Sequence, residues 1–458
     1  AYAIKDIDYT TSPNDGNIII EHIVEQGDFY NVFKPLEFNE MIPEDTWIDI
    51  VDYNQFLIEN NIEKIEQGVL QDILEKTVNT AKREIRGQYA TPYYLADILC
   101  QITVQDWNKD CADLCAGTGT IAKVIINNKF KRINNANTSF STTWMSDKYA
   151  YPLQIANIAV TDIHALNIPI NMFQTDVFDV QIGDKIEIKN PTDGSDIVKN
   201  IPQFGAIVSN LPFVEYNKVA MDEQEYIAQY REKIINDTGI EFTRKTDLYN
   251  YLPFKLYELL EKNGKLGIII SNSWLGTDIG KKFFEAMQYY YIIESVVISN
   301  CKKWFNNADV IGTILVLKKK EISAPDKTKK ISFWLTNKDI NSIENEDKEM
   351  LINSIVLHEV IDESVAIMRE YSISDIDNIT QHGISMNALF HNISWVKEIE
   401  DFIEPIENEL SMVRGERTGQ NKVFYIKGET SIADKFLYPM LKSSRNIKKY
   451  TASADMKA

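Results

Sequence analysis

Apolar residues occur along this chain in short strand-like runs and at helical spacing, and between residues 87 and 320 segments of the two kinds alternate. Short apolar runs rich in Val and Ile are followed by longer segments with helical spacing, which is the pattern of a mainly parallel sheet with helices on both faces. We therefore predict an α/β fold. The last two predicted strands lie close enough in sequence for the final one to return antiparallel. The predicted strands are residues 110–114, 143–146, 173–174, 206–209, 266–271, 293–298 and 313–317.

The flanking segments have different patterns. Before this region, apolar residues recur at helical spacing over residues 54–86, so we predict a helical lead-in that packs against the next domain. After residue 320 the composition becomes polar and acidic, which indicates a boundary. The predicted domains are a lead-in over 1–86, the α/β domain over 87–320, a helical connector over 321–404 and a further module over 405–458.

Composition narrows the class of protein. The chain has 458 residues, of which 44% are hydrophobic and 25% charged, so it can bury a large core in two or three domains. No apolar run approaches the roughly 20 residues that cross a bilayer, and no leader-like segment opens the sequence. We expect a cytoplasmic protein without a membrane segment. Because the chain begins with Ala1, we also expect it to be part of a longer polypeptide.

The net charge and the cysteine content each restrict the kinds of ligand that we expect the chain to bind. The formal net charge of −19 argues against a protein that grips a phosphate backbone with its whole surface, although a single basic face would still allow it. Cys100, Cys111, Cys115 and Cys301 lack the paired spacing of a zinc site, so we predict no metal. We interpret Cys111 and Cys115 as buried thiols and not as a disulfide.

A glycine-rich loop follows the first predicted strand. The strand runs through Asp113 into Ala116, Gly117 and Gly119 and then into a helix. Glycines there let the backbone approach a ligand, at the edge of the sheet where open α/β folds bind cofactors. Asp147 and Asp176 follow the next two predicted strands. Carboxylates at these places can accept hydrogen bonds from ribose hydroxyls and from an adenine amino group, although each Asp could instead be a helix cap.

The fourth predicted strand ends in Asn210-Leu211-Pro212-Phe213. An adenine amino group is a poor nucleophile because its lone pair is delocalised into the ring. The Asn210 amide oxygen and the Leu211 carbonyl could accept its two N–H bonds and so favour the pyramidal nitrogen that attacks a sulfonium methyl group. Phe213 could stack on a base that has left its helix. The alternative interpretation is a strand followed by an ordinary Asn-x-Pro turn.

Together these residues resemble the gamma-class adenine-N6 DNA methyltransferases of restriction–modification systems, which include type I modification subunits and type IIG enzymes. The resemblance covers residues 87–320 and implies a Rossmann-like fold dependent on S-adenosyl-L-methionine (SAM). In that family a G-x-x-x-T-P segment, here Gly87 to Pro92, packs on the methionine part of SAM. The SAM-binding residues that the resemblance implies are Tyr89, Thr91, Pro92, Asp113, Ala116, Gly117, Gly119, Asp147 and Asp176.

Downstream, the segment from Arg414 to Gly419 resembles the beginning of the target-recognition region of type IIG enzymes. The resemblance therefore implies double-stranded DNA as a partner, together with a specificity or restriction subunit or domain. We predict phosphate contacts from Arg414, Arg417, Lys442 and Arg445, with a solvated basic surface as the alternative. Neither a Gly-Lys-Thr/Ser phosphate loop nor a nuclease signature is found in the sequence.

Two departures from the family pattern keep other functions open. Leu211 stands where the family usually has proline, which we expect to loosen the turn, and Asn-Leu-Pro-Phe is similar to the motif of adenine dimethyltransferases that act on ribosomal RNA. The interval from Gly119 to Asp147 is also about ten residues longer than usual. DNA is favoured as the substrate because the RNA enzymes resemble only the α/β core, whereas this chain also has a helical lead-in before the core and more than a hundred residues after it. The alternatives are methylation of RNA or of a protein glutamine amide, and a non-catalytic subunit that binds SAM and DNA.

Overall fold

A computed structural model describes residues 8–16, 42–60, 69, 71, 89–161, 167–244, 246–305, 311–393 and 395–402, with eight more positions between 432 and 457. The chain forms two compact units, residues 1–400 and 401–458. In the second unit, the described elements are two short strands, Pro439–Met440 and Met456–Lys457, which pair antiparallel.

The first unit is built on a nine-stranded sheet. Its order is β3-β2-β1-β6-β7-β9-β8-β10-β11, and β4 and β5 form a separate hairpin. The strands are β1 Cys111–Asp113, β2 Thr143–Asp147, β3 Asn171–Gln174, β4 Lys185–Lys189, β5 Asp196–Asn200, β6 Phe204–Asn210, β7 Leu260–Ser271, β8 Tyr291–Ser299, β9 Gly312–Lys319, β10 Lys330–Thr336 and β11 Ala366–Ser372.

The α/β prediction is confirmed, and each of the seven predicted strands overlaps a strand of this sheet. Strands β3, β2, β1, β6 and β7 are parallel. Strand β9 runs antiparallel between β7 and β8, as expected for the final return. The carboxyl ends of five neighbouring strands therefore meet at one edge.

Helices cover both faces. They are α1 Glu44–Glu59, α2 Tyr93–Thr103, α3 Thr120–Ile133, α4 Ala136–Ser141, α5 Ala150–Val160, α6 Met221–Thr238, α7 Leu252–Leu259, α8 Asp278–Tyr290, α9 Asn345–Leu357, α10 Ile373–Gln381 and α11 Val396–Ile399. Helix α2 is apolar on most sides and lies against the sheet so closely that a Cβ on Gly267 would come 1.9 Å from the Thr103 Oγ1. Among the helices of the described ranges, none combines the length and apolarity to cross a bilayer.

The sheet continues past residue 320. Strand β10 pairs parallel with β8, and β11 pairs antiparallel with β10 at the sheet edge. The expectation of a helical connector over 321–404 therefore needs correction, because this segment contributes two strands as well as α9 and α10. Strand β10 follows a lysine-rich run, and five of the seven β11 residues are partly or fully exposed, so neither gave a strong alternating pattern. The β4–β5 hairpin was also not predicted.

Of the predicted lead-in, the structure describes chiefly α1, which starts ten residues before the predicted helical stretch at residue 54. Most of the remainder of that stretch lies outside the described residues. The same is true of Arg414, Arg417, Lys442 and Arg445, whose predicted contacts remain predictions.

A largely buried ion pair joins helix α9, which lies between β10 and β11 in the sequence, to helix α2. The Lys348 Nζ on α9 lies 2.6 Å from the Asp97 Oδ2 on α2. The Asp97 Oδ1 accepts hydrogen bonds from Asn128 and Gln101, at 2.9 and 3.0 Å. Burial alone would raise the pKa of Asp97, but these bonds and the Lys348 charge outweigh it and lower that pKa. The pair thus helps to hold α9, and with it β10 and β11, against α2.

We expect Asp97→Ala to lower the free energy of unfolding by about 3 kcal/mol, because the Lys348 ammonium would be left buried without its partner. Since the folded pKa of Asp97 is depressed, its contribution is present above about pH 4 and is lost as the pH falls through the folded value. Urea titration at pH 7 and pH 3 measures both effects. Lys327→Ala, which removes an exposed ion pair to Asp377, should cost less than about 1 kcal/mol. Equal losses in the two variants would contradict this account.

Candidate active site

A cavity of about 330 Å³ opens at the carboxyl edge of β1, β2, β3 and β6. Nine of the predicted site residues line it, and four others, Pro92, Gly119, Leu211 and Phe213, lie outside its lining. The lining ones are Tyr89, Thr91, Asp113, Ala116, Gly117, Asp147, Asp176, Asn210 and Pro212. The structure thus brings together residues more than 100 positions apart.

The two loop glycines serve different purposes. Gly117 (φ 51°) and Gly119 (φ 84°) both have the left-handed backbone that favours glycine. A Cβ on Gly119 would come 2.8 Å from the Cβ of Ala156, whereas a Cβ on Gly117 would meet nothing within 4 Å. Gly119 is therefore required for packing of α3 against α5, and Gly117 leaves the cavity open to a ligand.

Asp147 ends β2 beside this loop. Its Oδ2 accepts a hydrogen bond from the Gly117 N–H and its Oδ1 one from the Tyr149 N–H, both at 2.9 Å. The long interval from Gly119 contains an extra short helix, α4, so the added residues do not displace Asp147 from the sheet edge. A carboxylate with two oxygens has lone pairs left for further donors.

Asp176 combines the two interpretations offered for it. It is the N-cap of a short 3₁₀ helix, where its Oδ1 accepts from the Phe178 N–H at 3.1 Å. Its Oδ2 lies 3.1 Å from the Lys148 Nζ, which also contacts Glu223 on α6 at 3.0 Å. Asp176 therefore caps a helix and lines the cavity at once.

Asp113 is the most deeply buried of the three carboxyl groups, with 1% of its surface exposed. Burial raises the pKa of Asp113 to about 7, against the lowering effect of hydrogen bonds from the Ser209 hydroxyl and the Cys115 N–H. Its neighbour Asp147 adds a smaller raising effect. Asp113 is thus poised to change charge near neutral pH.

Asn210 ends β6 with its amide in a fixed environment. Its Nδ2 donates to the Tyr89 carbonyl and to the Thr91 Oγ1, both at 3.1 Å. Its Oδ1 is buried and accepts no hydrogen bond within the part of the chain that the structure describes. A buried amide oxygen without a donor is costly, and at the wall of a cavity it is suited to a ligand N–H.

Leu211 makes a backbone hydrogen bond that the sequence did not predict. Its N–H donates to the Ile269 carbonyl at 3.1 Å, which adds one bond to the ladder between β6 and β7. Proline could not make this bond. The bond opposes the expected loosening of the turn, because it fastens the start of the turn to the neighbouring strand.

The Phe213 ring packs in an aromatic cluster at the edge of the cavity. Its centroid lies 5.8 Å from that of Tyr89 and 6.0 Å from that of Phe305. Phe305 was missed in the sequence, where the pair Trp304-Phe305 after β8 was the available signal. Tyr89 and Phe213 are partly exposed, whereas Phe305 is buried.

Asp247 and Leu248 hold the loop that follows the Asn-Leu-Pro-Phe segment. The Asp247 Oδ1 accepts from the Tyr216 N–H at 3.1 Å, and the Leu248 N–H donates to the Val214 carbonyl at 3.2 Å. The contact of Asp247 shows that it restrains the loop.

The chain is similar to known proteins both in sequence and in structure. A family model described as N-6 DNA Methylase matches residues 67–398, well over half of the chain. The chain belongs to this family. The match starts within the predicted lead-in and ends beyond β11, so the N-6 DNA methylase region is longer than residues 87–320.

Solved structures support the fold of an N-6 DNA methylase. The type IIG restriction endonuclease BpuSI has a TM-score of 0.52 and 15% identity, and the match covers 95% of this chain and 50% of that one. A type I methyltransferase subunit from Streptococcus thermophilus has a TM-score of 0.52 and 15% identity, with 81% and 75% covered. The DrdV–DNA complex has a TM-score of 0.51 and 12% identity, with 75% and 38% covered.

These likenesses concern the fold alone. The chain spans about half the length of BpuSI. None of the curated proteins compared matches it.

We expect Asp113→Asn to change how stability depends on pH. The folded pKa of about 7 exceeds the unfolded value of about 3.9, so the wild type loses stability as the pH rises from about 4 to 7. Between pH 5 and pH 8 this group accounts for a loss on the order of 2–3 kcal/mol, which the asparagine variant should not show. Urea titrations of both proteins at the two pH values measure the difference, and parallel pH profiles would count against the buried, protonated carboxyl.

Proposed function

We propose that this chain transfers a methyl group from SAM to the N6 atom of adenine at a specific site in double-stranded DNA, within restriction–modification or phage defence. The observation that carries the proposal is the buried Asn210 Oδ1, which has no hydrogen-bond partner among the described residues and lies at the wall of a cavity lined by four carboxyl groups. An amino group on a flipped base would supply the missing donor.

The cavity fits SAM on chemical grounds. The open space at Gly117 allows a ligand to lie against the loop, and Asp147 and Asp176 present carboxylate oxygens suited to ribose hydroxyls and an adenine amino group. Asp113 can supply negative charge for an ammonium group once it is ionised. When bound, SAM would supply an electrophilic methyl group on its sulfonium.

The chain's own contribution is to make the adenine nitrogen nucleophilic. The Asn210 Oδ1 accepts one N–H of the target amino group and the Leu211 carbonyl accepts the other, which localises the nitrogen lone pair. The Leu211 N–H is itself held by β7, which restrains the backbone next to this carbonyl. Partly exposed ring surface at Phe213 offsets some of the cost of unstacking the base. The product nitrogen loses its proton readily, so no dedicated base is needed.

DNA as the substrate is supported by the family, which is described as a DNA methylase. Recognition of a specific sequence and contacts with phosphates are assigned in this proposal to the region around Arg414, Arg417, Lys442 and Arg445, or to a separate specificity subunit. The net charge of −19 makes such a localised basic region necessary, because the protein as a whole repels phosphate.

Asn210→Ala should abolish methyl transfer, with a loss of at least about 100-fold, and should keep the SAM affinity within a few fold. Transfer of the tritiated methyl group to genomic DNA from a host without this protein measures the first quantity, and calorimetry measures the second. Asn300→Ala, an exposed site far along the sheet, serves as the control for folding. Substantial activity in the Asn210 variant would remove the proposed role.

The same assay run in parallel on duplex DNA, RNA and protein separates the alternatives. Label in N6-methyladenine of DNA supports the proposal. Label only in RNA or in glutamine would replace it, and a chain that binds SAM but labels nothing would be a non-catalytic subunit.

Gly117→Asp should remove measurable SAM binding, because the new carboxylate would occupy the ligand space next to Asp147. Gly183→Asp is a matched control, since Gly183 also has a positive φ (89°) and an open Cβ position but lies outside this cavity. Calorimetric titration with SAM compares the two. Binding that survives equally in both variants would show that the loop is not the cofactor site.

A further inference from the structure

The donor side of the Asn210 amide is fully used. Both of its N–H bonds point to the segment that precedes α2, one to the Tyr89 carbonyl and one to the Thr91 Oγ1, each at 3.1 Å. A main-chain carbonyl can only accept a hydrogen bond, so the Tyr89 contact requires the nitrogen, and not the oxygen, on this side. The amide therefore has a defined orientation.

This orientation decides whether Asn210 can act. If the amide turned over, its NH₂ group would face the cavity, and two donors would oppose each other when an adenine amino group arrived. The buried oxygen would meanwhile face the Tyr89 carbonyl. The difference in free energy between the two orientations depends on the acceptors that Tyr89 and Thr91 provide.

We propose that Thr91 is a positioning residue, whose hydroxyl holds the Asn210 amide so that the Oδ1 faces the target base. The inference rests on the proposed function and adds a second role to a residue for which the family resemblance implies only contact with SAM. Because Tyr89 and Thr91 also line the cofactor cavity, the segment that borders the cofactor also orients the catalytic amide. Cofactor binding and amide orientation then share one short stretch of backbone.

The variants Thr91→Val and Thr91→Ser distinguish the effect of side-chain shape on activity from the effect of the hydrogen bond. Valine keeps the shape and loses the acceptor, whereas serine keeps the acceptor and loses a methyl group. We expect Thr91→Val to lower kcat about tenfold, equivalent to about 1.4 kcal/mol, with the SAM Kd changed less than threefold. Thr91→Ser should recover most of that loss. The matched control is Thr313→Val on β9, which removes a buried hydroxyl without a hydrogen-bond partner among the described residues and should leave kcat unchanged.

A double-mutant cycle tests the contact itself. Asn210→Ala removes the amide, so Thr91→Val should lower the free energy of unfolding less in that background than in the wild type. An equal loss in both backgrounds would overturn the proposal, as would a Thr91→Val variant with a weakened SAM Kd and a normal kcat. A serine variant as slow as the valine variant would also overturn it.

A readout independent of activity distinguishes this inference from the proposed function. In the NMR spectrum of the deuterated chain labelled with ¹⁵N-asparagine, the Asn210 side-chain signal is identified by its loss in Asn210→Ala. Both amide protons should be protected from exchange in the wild type and in Thr91→Ser, and one should lose protection in Thr91→Val. This result with no methylation by the wild type would defeat the proposed function and keep the positioning role. Unchanged protection in Thr91→Val would defeat the positioning role alone.

Discussion

Parallel pairing between β1 and β6 is the constraint on which the site depends. The two strands are far apart in sequence, and their register aligns Cys111 with Ala206 and Ala112 with Ile207. Asp113 and Asn210 consequently emerge at the same edge, and the Ser209 hydroxyl donates a hydrogen bond to the Asp113 carboxyl. A slip of one residue would turn alternate side chains to the opposite face and separate the cofactor half of the cavity from the amide.

The acidic groups of this chain favour a cationic ligand in the cavity and oppose a polyanion at the surface. Four carboxyl groups line one cavity together with Lys148 and Lys218. The excess of acidic groups suits a cation, and SAM carries both a sulfonium and an ammonium group. The same acidity opposes a polyanion, so the proposed binding of DNA would require a localised basic region, on this chain or on a separate subunit. Burial keeps the pKa of Asp113 high, which reduces the repulsion between Asp113 and Asp147, and the Lys148 ammonium contacts Asp176 and Glu223.

Much of the fold and part of the site could be predicted from local patterns. Apolar runs located the seven strands from β1 to β9 outside the β4–β5 hairpin, and the positions of Asp113, Asp147 and Asn210 at strand ends followed from parallel topology. Strand β11 was missed because an edge strand with half-exposed residues has little alternation. The contacts of Asn210 with Tyr89 and Thr91, and of Phe213 with Phe305, join segments about 90 to 120 positions apart. No periodicity within either segment specifies such a contact, and the same holds for the bond between Leu211 and Ile269.

That bond gives the site a property that a proline in its place would lack. A proline ring stiffens the chain permanently, whereas a backbone hydrogen bond at the end of a ladder opens and closes with local fluctuations of the sheet. The Leu211 amide proton exchanges with solvent when this end of the ladder opens. Its exchange rate therefore reports how often the segment beside the Asn210 amide becomes free to move, from within the site and without an added probe.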